Sequence, residues 1–210
     1  MRTRDPLRTA QIRHEGLKML VEQGLDGFSM QKLARAAKVS PATLYIHFRD
    51  RDDLLFQLYK EHMESLASDT LQDFDPALPL AEGLRIQWRN RVRFCRSNPL
   101  GWRFLEQIVH SPYHRQFAHR LRIPFFAIMG DFVRGAIARG ELTDFGSTGT
   151  ELANYPAELF WSLAFAPLYH LLRFEDGFDG PGTLHGNEPF RLDQKKLDLL
   201  LERVLRALRP

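Results

Sequence analysis

Two sets of side chains in this sequence have types and spacings that could do chemistry. Glu106, His110 and His114 repeat every four residues, and on one unbroken helix such a row would face a metal ion. Pro112 stands between the two histidines, however, and proline stops or kinks a helix, so the three are expected off a common face. No thiolate or second carboxylate pair lies close by, so neither a metal nor any other cofactor is expected. His110 is read more simply as a cation near a helix C-terminus, where the dipole favours it. The second set is Thr43, Tyr45 and His47 in one short helix: hydroxyls and an imidazole suited to hydrogen-bonding base edges and phosphates.

The elements that must position this second set occupy Phe28 to Leu54, FSMQKLARAAKVSPATLYIHFRDRDDL. Ser29 can cap a helix in which Met30, Leu33, Ala34 and Ala37 form one apolar stripe. A three-residue turn follows. Ser40 and Pro41 then open a second helix, with a cap hydroxyl before a proline whose missing N–H does no harm at that position. Leu44 and Phe48 are its buried pair. Pro41, Ala42, Thr43, Tyr45 and His47 are expected to face away from that pair or flank it, as on a helix entering the major groove. Asp50 caps a third helix that carries Asp52 and Asp53 in its first turn. Before all of this, Pro6 to Gln23 forms a helix with Ile12, Gly16, Met19 and Leu20 on one side, ending at Gly24.

The run KVSPATLYIHFRDRDDL, together with Ile12, Gly24, Ser29, Leu33 and Ala34, resembles the DNA-binding domain of TetR-type transcriptional regulators over about the first 60 residues. The resemblance implies an all-α chain. An N-terminal three-helix DNA-binding domain with a helix-turn-helix, residues 1–60, would precede a larger helical ligand-binding and dimerisation domain, residues 61–210. Carried over by position, Thr43 would contact a base or phosphate, Tyr45 and His47 would hold the DNA backbone, and Arg51 stands where the family usually has a phosphate-binding lysine. With Ser29, Gln31, Lys38, Ser40, Pro41 and Ala42, these residues make up the expected DNA-binding set. Three positions depart from the pattern. Lys38 replaces the usual turn glycine, Gly16 stands where alanine is common, and Pro41 with Ala42 makes the front of the reading helix apolar.

Charge agrees in direction. Eleven lysines and arginines face seven acids in the first 60 residues, whereas the whole chain of 210 residues carries only +3. An excess of this size supports a DNA-binding motif without establishing one. Arg2, Arg4 and Arg8 form a basic arm before the first helix. Cys95 is the only cysteine, which rules out an intramolecular disulfide and favours a reducing compartment. With no signal-peptide pattern at the start, a cytoplasmic location is expected.

Beyond residue 60 the pattern stays helical. The helix begun at Asp50 runs to about Leu71, and further helices are expected over Leu80–Ser97, from Asn98-Pro99 through Val109, over Pro124–Arg139, over Pro156–Phe174 and from Leu192 to the end. Glu141–Thr150 and Asp176–Pro189 read as loops. Pro156–Phe174 is apolar almost all round yet too short to span a bilayer, so it must be covered by its own domain and a second subunit. Leu163, Leu171, Leu197, Leu201 and Leu205 are the expected homodimer interface. Trp88, Trp102, Phe104, Ile108, Phe126, Met129, Phe132, Trp161 and Phe165 are the expected pocket for a small apolar effector. The leading reading is a homodimeric repressor that leaves double-stranded operator DNA when the effector binds. A DNA-binding regulator controlled by a partner protein is the alternative; a helical enzyme has no nucleophile, phosphate loop or paired acids in its favour.

Overall fold

The computed structural model describes residues 6–147, 156–175 and 190–210, and every regular element among them is helical. Arg2 and Arg4 of the basic arm, residues 148–150 of the first expected loop and residues 176–189 lie outside the described residues. Packing groups the chain into two units, Met1–Ser68 with Phe94–Ile123, and Asp69–Arg93 with Pro124–Pro210.

The first unit begins with α1 (Pro6–Gly27), which buries Ile12, Gly16, Leu17, Met19 and Leu20 on one side and breaks at Gly24. Gly24 takes φ +72°, a left-handed geometry that costs glycine little and other residues more. Helices α2 (Met30–Ala36) and α3 (Pro41–His47) are seven residues each. They are too short to persist alone, so the buried Leu33, Ala34 and Leu44 must hold them in place. Helix α4 (Arg51–Thr70) buries Leu54, Leu55, Leu58 and Tyr59. Asp50 caps it, accepting from the Asp53 amide at 2.7 Å while Asp53 accepts from the Arg49 amide at 2.9 Å. The amide bond and the Arg49 guanidinium hold the Asp50 carboxyl below the usual carboxylate range.

Helix α5 (Leu80–Ser97) leaves its last turn in the first unit, followed by α6 (Pro99–Val109) and α7 (Tyr113–Arg120). Asn98 caps α6 through the Gly101 amide at 3.2 Å. Helix α7 is fastened by Phe117, fully buried, whose ring lies 5.4 Å from Phe56, 5.6 Å from Tyr59 and 5.2 Å from Tyr113. Arg120 stacks its guanidinium 3.7 Å over the ring of Phe56.

In the second unit, the rest of α5 packs with α8 (Phe125–Ala138), α9 (Pro156–Glu175) and α10 (Gln194–Leu208). Gly83 lets α5 approach α8 closely, since a Cβ there would fall 2.4 Å from Cε2 of Phe132. Arg91 is 2% exposed: Nε donates to Tyr169 Oη at 3.0 Å and the guanidinium lies 4.0 Å over Phe165. Helices α9 and α10 pack together, and α10 buries Leu197, Leu201, Val204, Leu205 and Leu208.

The glycine at position 16 is not demanded by close packing. A Cβ there would meet Leu33 Cδ2 at 3.6 Å and Leu54 Cδ2 at 3.8 Å, ordinary van der Waals distances. Gly16→Ala is therefore expected to stabilise the chain by about 0.5–1 kcal/mol through helix propensity, seen as a higher urea midpoint. A lower midpoint would contradict the packing described for α1.

Candidate nucleic-acid interface

The reading surface is built by α2, a tight turn and α3. Ser29 caps α2, its hydroxyl accepting from the Lys32 amide at 3.2 Å, and leaves Gln31 and Arg35 exposed. Lys38 takes the turn at φ +54°, so a side chain occupies the left-handed geometry at a cost of roughly 1–2 kcal/mol. That cost is met where a glycine would avoid it, and it leaves an exposed ammonium beside the start of α3.

Ser40 caps α3 by accepting from the Thr43 amide at 3.1 Å, and its hydroxyl also bonds the Thr43 hydroxyl at 2.8 Å. Leu44 and Phe48 point inward at 0% and 1% exposure. The outward face carries Pro41, Ala42, Tyr45 and Ile46, with Thr43 half-buried at its edge; Tyr45 is 56% exposed. This surface is apolar at the front, with hydroxyls at positions 43 and 45.

His47 does not flank that face. It is buried at 8% exposure, and its Nδ1 lies 2.9 Å from Thr9 Oγ1 of α1. The reason is helical periodicity, because residue 47 follows Leu44 by three and so shares its inward stripe. In this conformation His47 ties the end of α3 to the start of α1. Arg51 is likewise engaged within the chain: Nη1 donates to Tyr113 Oη and Nη2 to the Leu25 carbonyl, both at 2.6 Å. Burial raises the Tyr113 phenol above its ordinary range, helped by its bond to Asp52. Spacing could not disclose these partners, since Thr9 lies 38 positions from His47 and Tyr113 62 positions from Arg51.

The other expected sets are distributed as follows. Trp102, Phe104 and Ile108 belong to the first unit, whereas Trp88, Phe126, Met129, Phe132, Trp161 and Phe165 belong to the second. Within the second unit a cleft of about 420 Å³ is lined by Phe126, Met129 and Trp161, joined by Val133, Ile137, Phe160, Arg134 and Asp144. Phe132 is fully buried and packs edge-on against Phe74 at 5.1 Å. Trp88 and Phe165 are also in the core, Trp88 donating to the Ala164 carbonyl at 2.9 Å. Leu197, Leu201 and Leu205 are 9%, 3% and 8% exposed within their own chain, while Leu163 and Leu199 are exposed at 37% and 55% and Leu171 is half-buried. Glu106 Oε2 lies 4.0 Å from His110 Nε2, and His114 sits on the next helix, α7.

Two short capped helices meeting at a tight turn, with the second presenting its outer face, define a helix-turn-helix unit. Residues 12–58 match the family of bacterial regulatory proteins described as the tetR family. An uncharacterised HTH-type transcriptional regulator of Haemophilus influenzae is 29% identical over 105 residues, 50% of this chain and 56% of that protein. The matched stretch therefore spans little more than half the length of that curated relative. The whole chain has the fold of a TetR family transcription regulator from Marinobacter aquaeolei VT8, with a TM-score of 0.72, 24% identity and coverage of 100% and 99% of the two chains. A TetR-family transcriptional regulator from Haemophilus influenzae RD gives 0.71 at 22% identity over the full length of both. Residues 12–58 are thus similar to the DNA-binding region of the tetR family, and the chain as a whole has the fold of proteins of that family. The similar proteins are described as transcriptional regulators.

Proposed function

We propose that the chain is a sequence-specific DNA-binding transcriptional regulator, a cytoplasmic repressor that binds operator DNA as a homodimer and is released by a small apolar effector. Residues 1–60 serve DNA binding, and residues 61–210 serve effector binding and dimerisation. The observation that carries the reading is the outer face of α3, where Tyr45 stands 56% exposed on a helix whose other side is locked into the core. Pro41, Ala42 and Thr43 face base edges; Ser40 and Tyr45 face the backbone, with Gln31 and Lys38 contributed from α2 and the turn, and Ser29 from the cap of α2. His47 supports the backbone contact by fixing the end of α3.

Footprinting on the DNA upstream of its own gene tests this reading. Thr43→Ala should weaken binding to the protected site by about 1–3 kcal/mol while changing other sequences little. Tyr45→Phe should weaken all sequences alike, because a phosphate contact carries no base information. Full-strength binding by the double variant removes α3 from the interface.

Dimerisation through α9 and α10 is supported by the leucines their own chain leaves uncovered, Leu163 and Leu199. The expected set Leu171, Leu197, Leu201 and Leu205 lies partly or wholly inward, so these residues shape the surface from beneath. Light scattering should find a dimer for the wild type and a monomer for Leu163→Glu; a dimer of unchanged strength would place the interface elsewhere.

The effector reading is supported by the cleft of about 420 Å³, within the roughly 300–1,000 Å³ of small-molecule sites, and by its largely apolar lining. An effector acts only through its differential affinity for two states, and a coupling of about 1–3 kcal/mol reduces operator affinity roughly 5- to 150-fold. Thermal shift against apolar metabolites should give a hit that weakens operator binding, and Val133→Trp should abolish the shift while sparing DNA affinity without ligand. A hit that leaves operator affinity unchanged would separate the cleft from regulation.

A further inference from the structure

Arg51 opens α4, three residues after the end of the reading helix and its C-cap Phe48 are complete, but its charge is turned into the protein. Nη1 donates to Tyr113 Oη at 2.6 Å, and Nη2 donates to the Leu25 carbonyl at 2.6 Å. Tyr113 Oη donates in turn to Asp52 Oδ1 at 3.1 Å, and that carboxylate lies 4.0 Å from Arg51 Nη1. Donors and acceptors are consistent throughout: the single phenolic hydrogen goes to Asp52, and the phenol oxygen accepts from arginine. Each outer nitrogen keeps a second N–H, but a two-pronged grip aims both nitrogens at one anion, and turning the guanidinium outward to do so competes with the contacts that aim it at Tyr113 and Leu25. The phenol is the easier to give up, because its own hydrogen stays with Asp52.

We propose that Tyr113 is a positioning residue that lowers DNA affinity by holding Arg51 away from the phosphate backbone. The proposal rests on the DNA-binding reading of residues 1–60. What makes the hold effective is the rigidity of α7. The Tyr113 ring packs 5.2 Å from Phe117, and Phe117 is fully buried against Phe56 and Tyr59 of α4. The hydroxyl is thus fixed relative to Arg51 by the same aromatic cluster that fastens α7 to α4. Removing only the hydroxyl leaves that cluster intact.

The test uses the full chain, a short labelled duplex of its own upstream sequence and a scrambled duplex of equal length, with affinities measured across a salt series. Tyr113→Phe should bind both duplexes roughly three- to tenfold more tightly at low salt, and its log–log salt slope should steepen by about 0.9 per chain, one phosphate contact. In an Arg51→Gln background the same change should move neither quantity. A slope unchanged by Tyr113→Phe overturns the proposal, as does a steepening that persists without Arg51. Tyr113→Leu, which fills the ring site differently, should reproduce the steeper slope; a purely structural role would lower the melting temperature and leave the slope alone. Failure of the wild type to bind either duplex would instead overturn the DNA-binding reading itself.

Discussion

The reading surface depends on one constraint, that two seven-residue helices must be held by burial because they cannot hold themselves. A helix of this length pays nucleation in full and gains only a few propagating bonds, so isolated α2 and α3 would be mostly unfolded. Leu33, Leu44 and Phe48, with at most 1% of their surface exposed, supply the opposing free energy. Each fully buried side chain of this kind contributes about 1.5–3 kcal/mol. Caps then fix where the helices begin: Ser29 and Ser40 each add on the order of 1 kcal/mol and define the direction in which the outer face points. Burial thus decides that α3 exists, and the cap and the His47–Thr9 bond decide how it is aimed.

The same constraint explains why polar groups expected on DNA lie inside. Once Leu44 and Phe48 are committed to the core, residue 47 is carried inward with them, and a buried imidazole needs a hydrogen-bond partner. Thr9 provides one at 2.9 Å. At the start of α4 a guanidinium meets the Leu25 carbonyl near the break in α1 and the phenol of α7. Arg51 therefore joins three segments that are distant in sequence, its guanidinium aimed by both bonds.

Local signals in the sequence were strong where one residue type does one job. Ser29, Ser40-Pro41, Asp50 and Asn98-Pro99 each cap a helix as their spacing predicts, and the buried pair Leu44/Phe48 follows from periodicity alone. The all-helical architecture was legible for the same reason. His47 was also readable in principle, since its offset of three from Leu44 is visible in the sequence. Arg51's partners were not, because nothing local marks Leu25 or Tyr113 as its neighbours. Nor does an aromatic stripe reveal whether it lines space or fills it. Phe132 and Phe126 lie on the same helix, yet one is fully buried against Phe74 and the other is 52% exposed at a cleft.

That difference between two phenylalanines bears on how the second unit could respond to a ligand. Phe132 sits so tightly against α5 that the Cβ of any residue but glycine at position 83 would strike its ring, so this end of α8 has little freedom to move. Phe126, one and two-thirds turns earlier on α8, lines the cleft with Trp161 of α9, its ring edge-on to Phe125 at 5.6 Å. Trp161 stacks in turn on Phe165 at 4.7 Å, whose face receives the Arg91 guanidinium from α5. The cleft thus presents one exposed ring and one ring coupled to a buried cation. Displacing Trp161 would disturb the Arg91 site directly, because the guanidinium also lies 5.6 Å over the Trp161 ring, whereas Phe126 reaches it only through Phe125, whose ring lies 5.8 Å from the same guanidinium. Under the proposed effector reading, Trp161 is therefore the more direct route from the cleft to α5, and Phe126 the more exposed of its walls.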